Sequence, residues 1–295
     1  MKPLLRWILI LMCGLALGPW ALHLLEGIRD VDGGHATTLL ANASPVLGFA
    51  KGALVLFIAA VVGILGAYAF SLGTGYMCAG LILAWSAWGV STLPELVREG
   101  HVPLVSLAAE GLLVTLCAAA LAGAMSVISN ARQPADASPP RKRAGGWWAL
   151  LAADQDGVGI PKAAVAALGA GVLAGGFVVW LVAASQDHGQ VFAAVLCGAI
   201  AAGVAGQLTA SNSGATLSPV TTILAMLVLA AVSPILAQVL HGAQLTSAVY
   251  GGTVLPLARP LSFQWAAGAM IGAPIGIGWA GAMLDARAAE FGSAS

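Results

Sequence analysis

The sequence predicts an all-α protein, a polytopic integral membrane bundle of about eight transmembrane helices. The 295-residue chain is 59% hydrophobic and only 8% charged, and its mean hydropathy is +0.93. Its apolar runs reach about 20 residues, enough to cross a hydrocarbon core of roughly 30 Å at about 1.5 Å per residue. A soluble globular class is therefore excluded, and a lipid bilayer is the first expected partner.

Eight apolar runs can each be assigned to one span. The first resembles a secretory signal, because Lys2 and Arg6 precede its apolar stretch, but we expect it to remain as the first span. The second and third runs are hard to separate, because "GAYAFSLGTGY" between them offers only glycine and serine as turn residues. The predicted spans cover residues 5–25, 46–69, 71–93, 103–128, 161–183, 191–210, 217–240 and 262–284.

The basic residues predict an orientation with both termini inside. Lys2 and Arg6 precede the first span, Arg287 follows the eighth, and a basic cluster that includes Arg141–Arg143 lies between the fourth and fifth. Because Lys and Arg concentrate in cytoplasmic loops, these positions are expected in the cytoplasm. We expect a multi-pass protein of a membrane such as the bacterial inner membrane.

A Pro-rich, charged segment divides the chain into three parts. Residues 1–128 form a first four-helix half, 129–160 a cytoplasmic linker with an interfacial segment, and 161–295 a second four-helix half. Proline and charge without an apolar core are typical of linkers. We expect the two halves to be membrane units joined by this linker.

Uncharged polarity is concentrated in one stretch, "GQLTASNSGATLSPVTT", Gly206–Thr222. Nine of its seventeen residues carry a hydroxyl or amide side chain. One interpretation is a short turn with Ser218 as N-cap and Pro219 at the first helical position. The other is a wet cavity or re-entrant loop. Its candidate lining residues are Gln207, Thr209, Ser211, Asn212, Ser213, Thr216, Thr221 and Thr222.

Two charged residues fall inside predicted spans. Lys51 lies near the start of the second span and Glu110 near the start of the fourth. Ionisable residues at membrane depth are costly and are often functional. Their similar predicted depths suggest an ion pair, and the alternative is that Lys51 reaches the headgroups by itself.

Small residues recur at four-residue spacing in several spans, for example at Gly171 and Gly175 and at Gly268, Gly272 and Gly276. Such faces let helix backbones approach closely in lipid. We expect them either to pack the bundle internally or to form a homo-oligomer interface.

Two short stretches resemble enzyme motifs. "SNSGATLS" is similar to the serine motif of rhomboid intramembrane proteases, with Ser213 in the nucleophile's place, but the only downstream histidine, His241, is predicted at the opposite face. "LLAADQDGVGIPKAAVAALG" is similar to the first aspartate motif of prepilin peptidases, with Asp154 in place, and lacks the second aspartate. We expect no catalytic residues, no cofactor and no metal site.

These observations leave two main functional classes. The first is a transporter or channel for a small solute or ion, favoured by the polar stretch and the intramembrane charges. The second is a structural or accessory subunit of a larger membrane complex, favoured by the small-residue faces. An intramembrane enzyme is a second alternative. The chain has zero net charge and no long basic tract, so nucleic acid is not an expected partner.

Overall fold

The computed structural model describes residues 2–28, 38–40, 42–98, 104–131, 152–153 and 162–292. Within them, eight helical segments are long and apolar enough to cross a membrane, which confirms the predicted fold class. They cover Pro3–Glu26, Pro45–Ala69, Leu72–Val97, Leu104–Ser129, Lys162–Val182, His188–Ser211, Pro219–Tyr250 and Ser262–Glu290. Successive spans alternate in direction, so the bundle has a Glu110 end, where Glu26, Trp88 and Ser262 also lie, and a linker end, where Ala131 and Lys162 lie.

The individual helices subdivide some of these spans. The α-helices are Lys2–Met12, Gly18–Glu26, Pro45–Ala69, Leu72–Trp88, Leu93–Arg98, Leu104–Ala131, Lys162–Val182, His188–Ser211, Pro219–His241, Leu245–Tyr250 and Ser262–Gly292. A π-helix covers Cys13–Leu17, and 3-10 turns cover Gly242–Gln244 and Pro256–Ala258.

The third and eighth spans differ in length from their predicted bounds. The third helix ends at Trp88, and a short helix follows because the Glu95 carboxylate accepts a hydrogen bond from the Thr92 N–H at 2.8 Å. This is the returning half of a capping box. The last helix continues to Gly292, beyond the predicted residue 284, because the residues after its apolar part are mostly strong helix formers.

The first span carries a π-helical turn at Cys13–Leu17, where the Gly18 N–H donates to the Cys13 carbonyl. The buried positions on either side are Ile10 and Cys13, then Gly18, Ala21 and Leu25. The step of five residues from Cys13 to Gly18 would rotate an ordinary α-helix off its contact face. The extra residue in the π-turn restores the phase, so both buried groups face the third span.

One continuous hydrophobic core joins the two halves of the chain. It includes Ile82 and Met125 from the first half and Val195, Met226 and Met270 from the second. The third span is the most buried of the eight, with 67% of its apolar window inside the bundle. The eighth span packs against spans of both halves, including the third, fourth and sixth. The described parts of the two predicted halves therefore pack as one bundle.

Small residues give the closest helix contacts, which confirms their predicted internal packing. A Cβ at Gly198 would lie 2.9 Å from the Gly175 carbonyl oxygen, and one at Gly272 would lie 2.8 Å from the Leu196 carbonyl oxygen. The fifth and sixth spans, and the sixth and eighth, therefore approach at backbone distance. A larger side chain at these positions would force the helices apart.

Most of the predicted linker 129–160, including Arg141–Arg143 and Asp154, lies outside the described residues. Ala152–Ala153 form a short strand, β1, that pairs antiparallel with β2, Thr216–Leu217. The pairing places this part of the linker segment against the turn between the sixth and seventh spans.

Candidate functional site

The side chain of Glu110 lies inside the bundle, in the second turn of the fourth span, and is 1% exposed. The Ser262 hydroxyl donates to one carboxylate oxygen at 2.6 Å, and the Leu40 N–H donates to the other at 3.2 Å. Ser262 begins the eighth span, and Leu40 precedes the second. The carboxylate therefore joins three parts of the chain that are distant in sequence.

Two further donors complete the hydrogen bonding of this carboxylate. The Thr38 hydroxyl and the Leu39 backbone N–H also bond to Glu110. An ionised carboxylate offers about four acceptor positions, so the four donors match its capacity. Because Ser262 is the first residue of its helix, the carboxylate also lies at a helix N-terminus, where the backbone dipoles favour negative charge.

Thr38–Leu40, which surrounds the carboxylate, is also fixed against the second span. The Leu39 side chain fills the space beside Gly52, where a Cβ would lie 2.7 Å from a Leu39 methyl carbon. The Asn42 amide donates to the Thr38 and Leu39 carbonyls, each at 3.0 Å. Glu110 thus holds a segment that is also fixed by apolar packing and a local amide bridge.

The structure does not bring Lys51 and Glu110 together, and no ion pair joins them among the described residues. The Lys51 ammonium lies instead beside Gly27, where a Cβ would be 2.8 Å from Nζ. Gly27 follows the last helical residue of the first span. The free carbonyls and negative dipole of that helix end favour a cation there, and this explains the direction of the lysine.

Next to Glu110, the seventh span has an interrupted backbone. Pro234 lies inside this helix and has no N–H, so the Ala230 carbonyl loses its partner four residues on. Gly111 packs against that carbonyl, with a Cβ position 2.9 Å from its oxygen. The Ser233 hydroxyl is buried without a hydrogen-bond partner in the described part of the chain. This helix contact therefore adds a buried backbone carbonyl without its helical partner and a buried hydroxyl to the region of Glu110.

A buried guanidinium forms a second long-range polar contact at this end. Arg259 is 6% exposed and donates to the carbonyls of Ala183 at 2.6 Å and Gly252 at 2.8 Å. Weaker contacts at 3.4 Å reach Ser185 and Val254. Burial lowers the pKa of Arg259 from its ordinary value. The side chain fastens the end of the fifth span to the loop before the eighth.

The polar stretch Gly206–Thr222 ends the sixth-span helix at Ser211, turns at the linker end and begins the seventh-span helix at Pro219. Ser218 caps the seventh span by accepting a hydrogen bond from the Val220 N–H at 3.3 Å, and Pro219 is the first helical residue. The buried Gln207 side chain accepts from the Leu217 N–H at 2.9 Å. Gly214, with φ of 69°, takes the left-handed conformation that ends the sixth helix. These contacts are those of the turn interpretation.

The remaining candidate lining residues occupy three environments. Thr209 and Ser211 donate to carbonyls of their own helix, at Ala205 and Leu208, both at 2.8 Å. Asn212, Ser213 and Thr216 are exposed, whereas Thr221 and Thr222 are buried. These contacts favour the turn, and they do not by themselves support the cavity interpretation.

Within the described part of the chain, the structure places no second catalytic residue beside the one that each protease resemblance identified. Ser213 follows the sixth span at the linker end, and His241 ends a 23-residue helix at the Glu110 end. A helix of this length spans about 35 Å, so the two side chains cannot form a hydrogen bond. Asp154 lies outside the described residues.

Sequence reasoning missed Ser262, Leu40 and Arg259. A weak signal existed for Arg259, because it was the one arginine between two spans at the predicted outer face of the second half. Neither Ser262 nor the backbone of Leu40 carries a recognisable pattern. Their roles depend on which spans are neighbours.

No protein-family model, no curated protein and no solved structure matches this chain. The structure supports a polytopic membrane protein, with eight apolar helices among the residues that it describes.

Proposed function

We propose that this protein is a transporter that couples the movement of a small solute or ion to the protonation of Glu110. The observation that carries the proposal is the full burial of this carboxylate inside a membrane-spanning helix, with hydrogen-bond donors from two other parts of the chain. Ionisable side chains at such positions commonly mark ion pathways and proton relays.

Protonation would change the hydrogen bonding around Glu110. The ionised carboxylate accepts from all four donors, whereas a protonated carboxyl must donate through one oxygen. At least one of the contacts to Thr38, Leu39, Leu40 or Ser262 must then rearrange. Proton binding is therefore linked to the position of Thr38–Leu40 relative to the fourth and eighth spans, as a coupled transporter requires.

Proteoliposomes with an entrapped pH-sensitive dye test this coupling. A panel of small solutes is added under an imposed pH gradient, and solute-dependent proton movement is followed by the dye. We expect the signal to be lost in Glu110→Gln, which cannot release a proton, and to be kept in the matched control Asp285→Asn, an exposed carboxylate of the eighth span. Equal proton movement in Glu110→Gln and in the unmodified protein would contradict the proposal.

The contribution of the polar stretch is tested separately. Cysteine substitutions at Ser213 and Thr222 are treated with a membrane-impermeant thiol reagent in open membranes. In a plain turn, only the exposed position 213 reacts, because Thr222 is 2% exposed. Labelling at 222 would support a wet cavity at the linker end and would add a second polar region to the transport pathway.

A second function, an accessory subunit of a larger membrane complex, is supported by the first span. Only 28% of its apolar window is buried, and Leu4, Trp7 and Leu15 are each at least 60% exposed. Lipid or another membrane protein can cover this face. Native mass spectrometry in mild detergent separates the two functions, because a stoichiometric protein partner lost on Leu15→Gln substitution would favour the subunit.

A further inference from the structure

The His188 imidazole connects a cavity of about 210 Å³ to the start of the eighth span. The cavity opens at the Glu110 end, and His188 and Trp88 both line it. Their rings stack, with centroids 6.0 Å apart and planes at 25°. The half-buried imidazole also contacts the eighth span, where the Gln264 amide nitrogen lies 3.4 Å from Nδ1. Protons that enter the cavity can therefore reach a ring that is bonded to a buried side chain.

The orientation of the Gln264 amide determines which hydrogen bond His188 makes. Gln264 is 3% exposed, and its side-chain oxygen accepts from the Leu261 N–H at 2.8 Å. This bond is the returning half of a capping box, because Leu261 precedes the eighth helix and Gln264 is its third residue. With the oxygen committed to Leu261, the amide nitrogen must donate to His188 Nδ1. Nδ1 is then an acceptor, which requires a neutral ring with its hydrogen on Nε2.

A proton on His188 Nδ1 cannot be accommodated by turning this amide. The imidazolium carries a hydrogen on both ring nitrogens, so Nδ1 no longer accepts from Gln264. If the amide turned over, its oxygen would meet the Nδ1–H, but its nitrogen would then face the Leu261 N–H, donor against donor. Either orientation leaves a buried polar group without its partner, which is destabilising. Protonation of His188 therefore disturbs the capping box of the eighth span.

The same first turn of the eighth span holds Glu110. Ser262 directly follows Leu261, and its hydroxyl donates to the Glu110 carboxylate at 2.6 Å. A displaced turn lengthens or breaks this bond, and the carboxylate then loses one of its four donors. Hydrogen bonds to a charged form stabilise that form, so the loss removes stabilisation from ionised Glu110.

The surroundings of His188 support both protonation states of the ring. Its charged neighbours are Glu95 of the short helix and Asp187 before the sixth helix, and Glu26 of the first span lines the same cavity. The third and eighth spans contribute uncharged side chains. The carboxylates favour the imidazolium, whereas partial burial and the position at a helix N-terminus favour the neutral ring. Opposed influences of this kind suit a histidine that switches between two states.

We propose that His188 is a positioning residue, and that a proton taken up at its Nδ1 from solvent in the cavity weakens the hold of the eighth span on Glu110. The effect passes through the Gln264 amide and the Leu261 N–H to the Ser262 hydroxyl. Because coupling between two sites is reciprocal, protonation of Glu110 also favours protonation of His188. Its role in transport, as a second proton in the coupling, rests on the proposed function, whereas the link itself is a property of the folded chain.

The tautomer of neutral His188 is the first test. The full-length protein, labelled with isotope-enriched histidine and reconstituted in lipid, is titrated by nuclear magnetic resonance. The signals of His188 are those lost in His188→Asn. We expect the neutral ring to carry its hydrogen on Nε2 and to leave Nδ1 as an acceptor. A neutral ring with its hydrogen on Nδ1 would overturn the proposal, because the Gln264 amide would then have no acceptor there.

The sign of the coupling is the second test. Glu110→Gln makes this side chain neutral, as protonation does, and His188 should then bind its proton about fivefold more tightly or more, as is typical of couplings between sites. Charge alone predicts the opposite, because removing a carboxylate disfavours an imidazolium. Asp285→Asn, an exposed carboxylate of the last helix, should leave the titration unchanged. An unchanged or weaker proton affinity of His188 in Glu110→Gln would contradict the proposal.

Ser262→Ala tests the same link without a change of charge, and it replaces Glu110→Gln if that variant does not fold. Removing the hydroxyl frees the first turn of the eighth span, so His188 should again bind its proton more tightly. Ser247→Ala, at an exposed serine, is the control and should have no effect. An unchanged titration in Ser262→Ala would show that the turn does not act on His188. These titrations contain no transported solute, so a lack of solute-dependent proton movement would contradict the proposed function alone.

Discussion

Polar side chains gather at both ends of the bundle, and the two groups are built differently. At the Glu110 end, the carboxylate and Arg259 bond to residues up to 152 positions away in the chain. At the linker end, the side-chain hydrogen bonds of Gln207, Thr209 and Ser218 reach partners within ten residues. The first group joins spans, whereas the second mainly closes one turn. Concentrated polarity in a sequence is thus a poor guide to which polar residues connect the fold.

The largest expected effect is at Glu110. Glu110→Ala leaves the Ser262 and Thr38 hydroxyls and two backbone N–H groups without their acceptor. Since each buried unsatisfied group costs about 1–3 kcal/mol, the free energy of unfolding should fall by about 3 kcal/mol or more. Thermal unfolding in detergent measures it, with Asp285→Ala as the exposed control. If Glu110→Ala and Asp285→Ala had equal melting temperatures, the buried carboxylate would stabilise the protein no more than an exposed one. The contrast between the two ends of the bundle would then be wrong.

The next effect is expected at Arg259. A lysine there cannot reach the carbonyls of Ala183 and Gly252 together, because its ammonium lacks the planar fork of the guanidinium. Arg259→Lys should lower stability by about 1–3 kcal/mol. Arg287→Lys, at an exposed position of the last helix, should change it little. A neutral result at 259 would mean that the fifth span is held by packing alone.

A smaller effect is expected at Gln207, whose buried side chain accepts a hydrogen bond from the Leu217 N–H at the linker end. Gln207→Leu keeps the volume and leaves the Leu217 N–H without its acceptor, at a cost of about 1 kcal/mol. Because the same substitution at the exposed Gln244 breaks no such bond, it serves as the control. A loss as large as that at Glu110 would show that this turn connects spans after all.

The smallest effect is expected at Thr209. Its hydroxyl donates to the Ala205 carbonyl of its own helix, which already accepts a helical N–H, so the bond adds little. Thr209→Val should change the free energy of unfolding by no more than about 0.5 kcal/mol. A larger change in the melting temperature would point to a buried partner for this hydroxyl.

Much of the fold could be predicted from the sequence, because membrane spans are encoded by local properties. Run length and hydropathy located all eight spans, and Ser218 with Pro219 located a helix start to the residue. Glycine spacing also indicated which helix faces pack closely.

The site was harder to predict because its partners depend on which helices are neighbours. Lys51 and Glu110 were paired by depth along the membrane normal alone. Depth does not specify the direction of a side chain around its helix. The structure turns the lysine toward the first span, while the carboxylate meets Ser262 of the eighth span. The importance of Glu110 was visible in the sequence, but its partners were not.

The π-helical turn at Cys13–Leu17 has a consequence for how this chain tolerates changes in length. It holds one residue more than an α-helix needs between the two buried groups of the first span. Deleting one residue, such as Leu15, which faces away from the bundle, would leave an uninterrupted α-helix with both groups still in phase. A deletion elsewhere in the span would turn everything beyond it by about 100°. This turn is therefore the place where the first span can lose a residue and keep its contacts, as expected if it arose by a single-residue insertion.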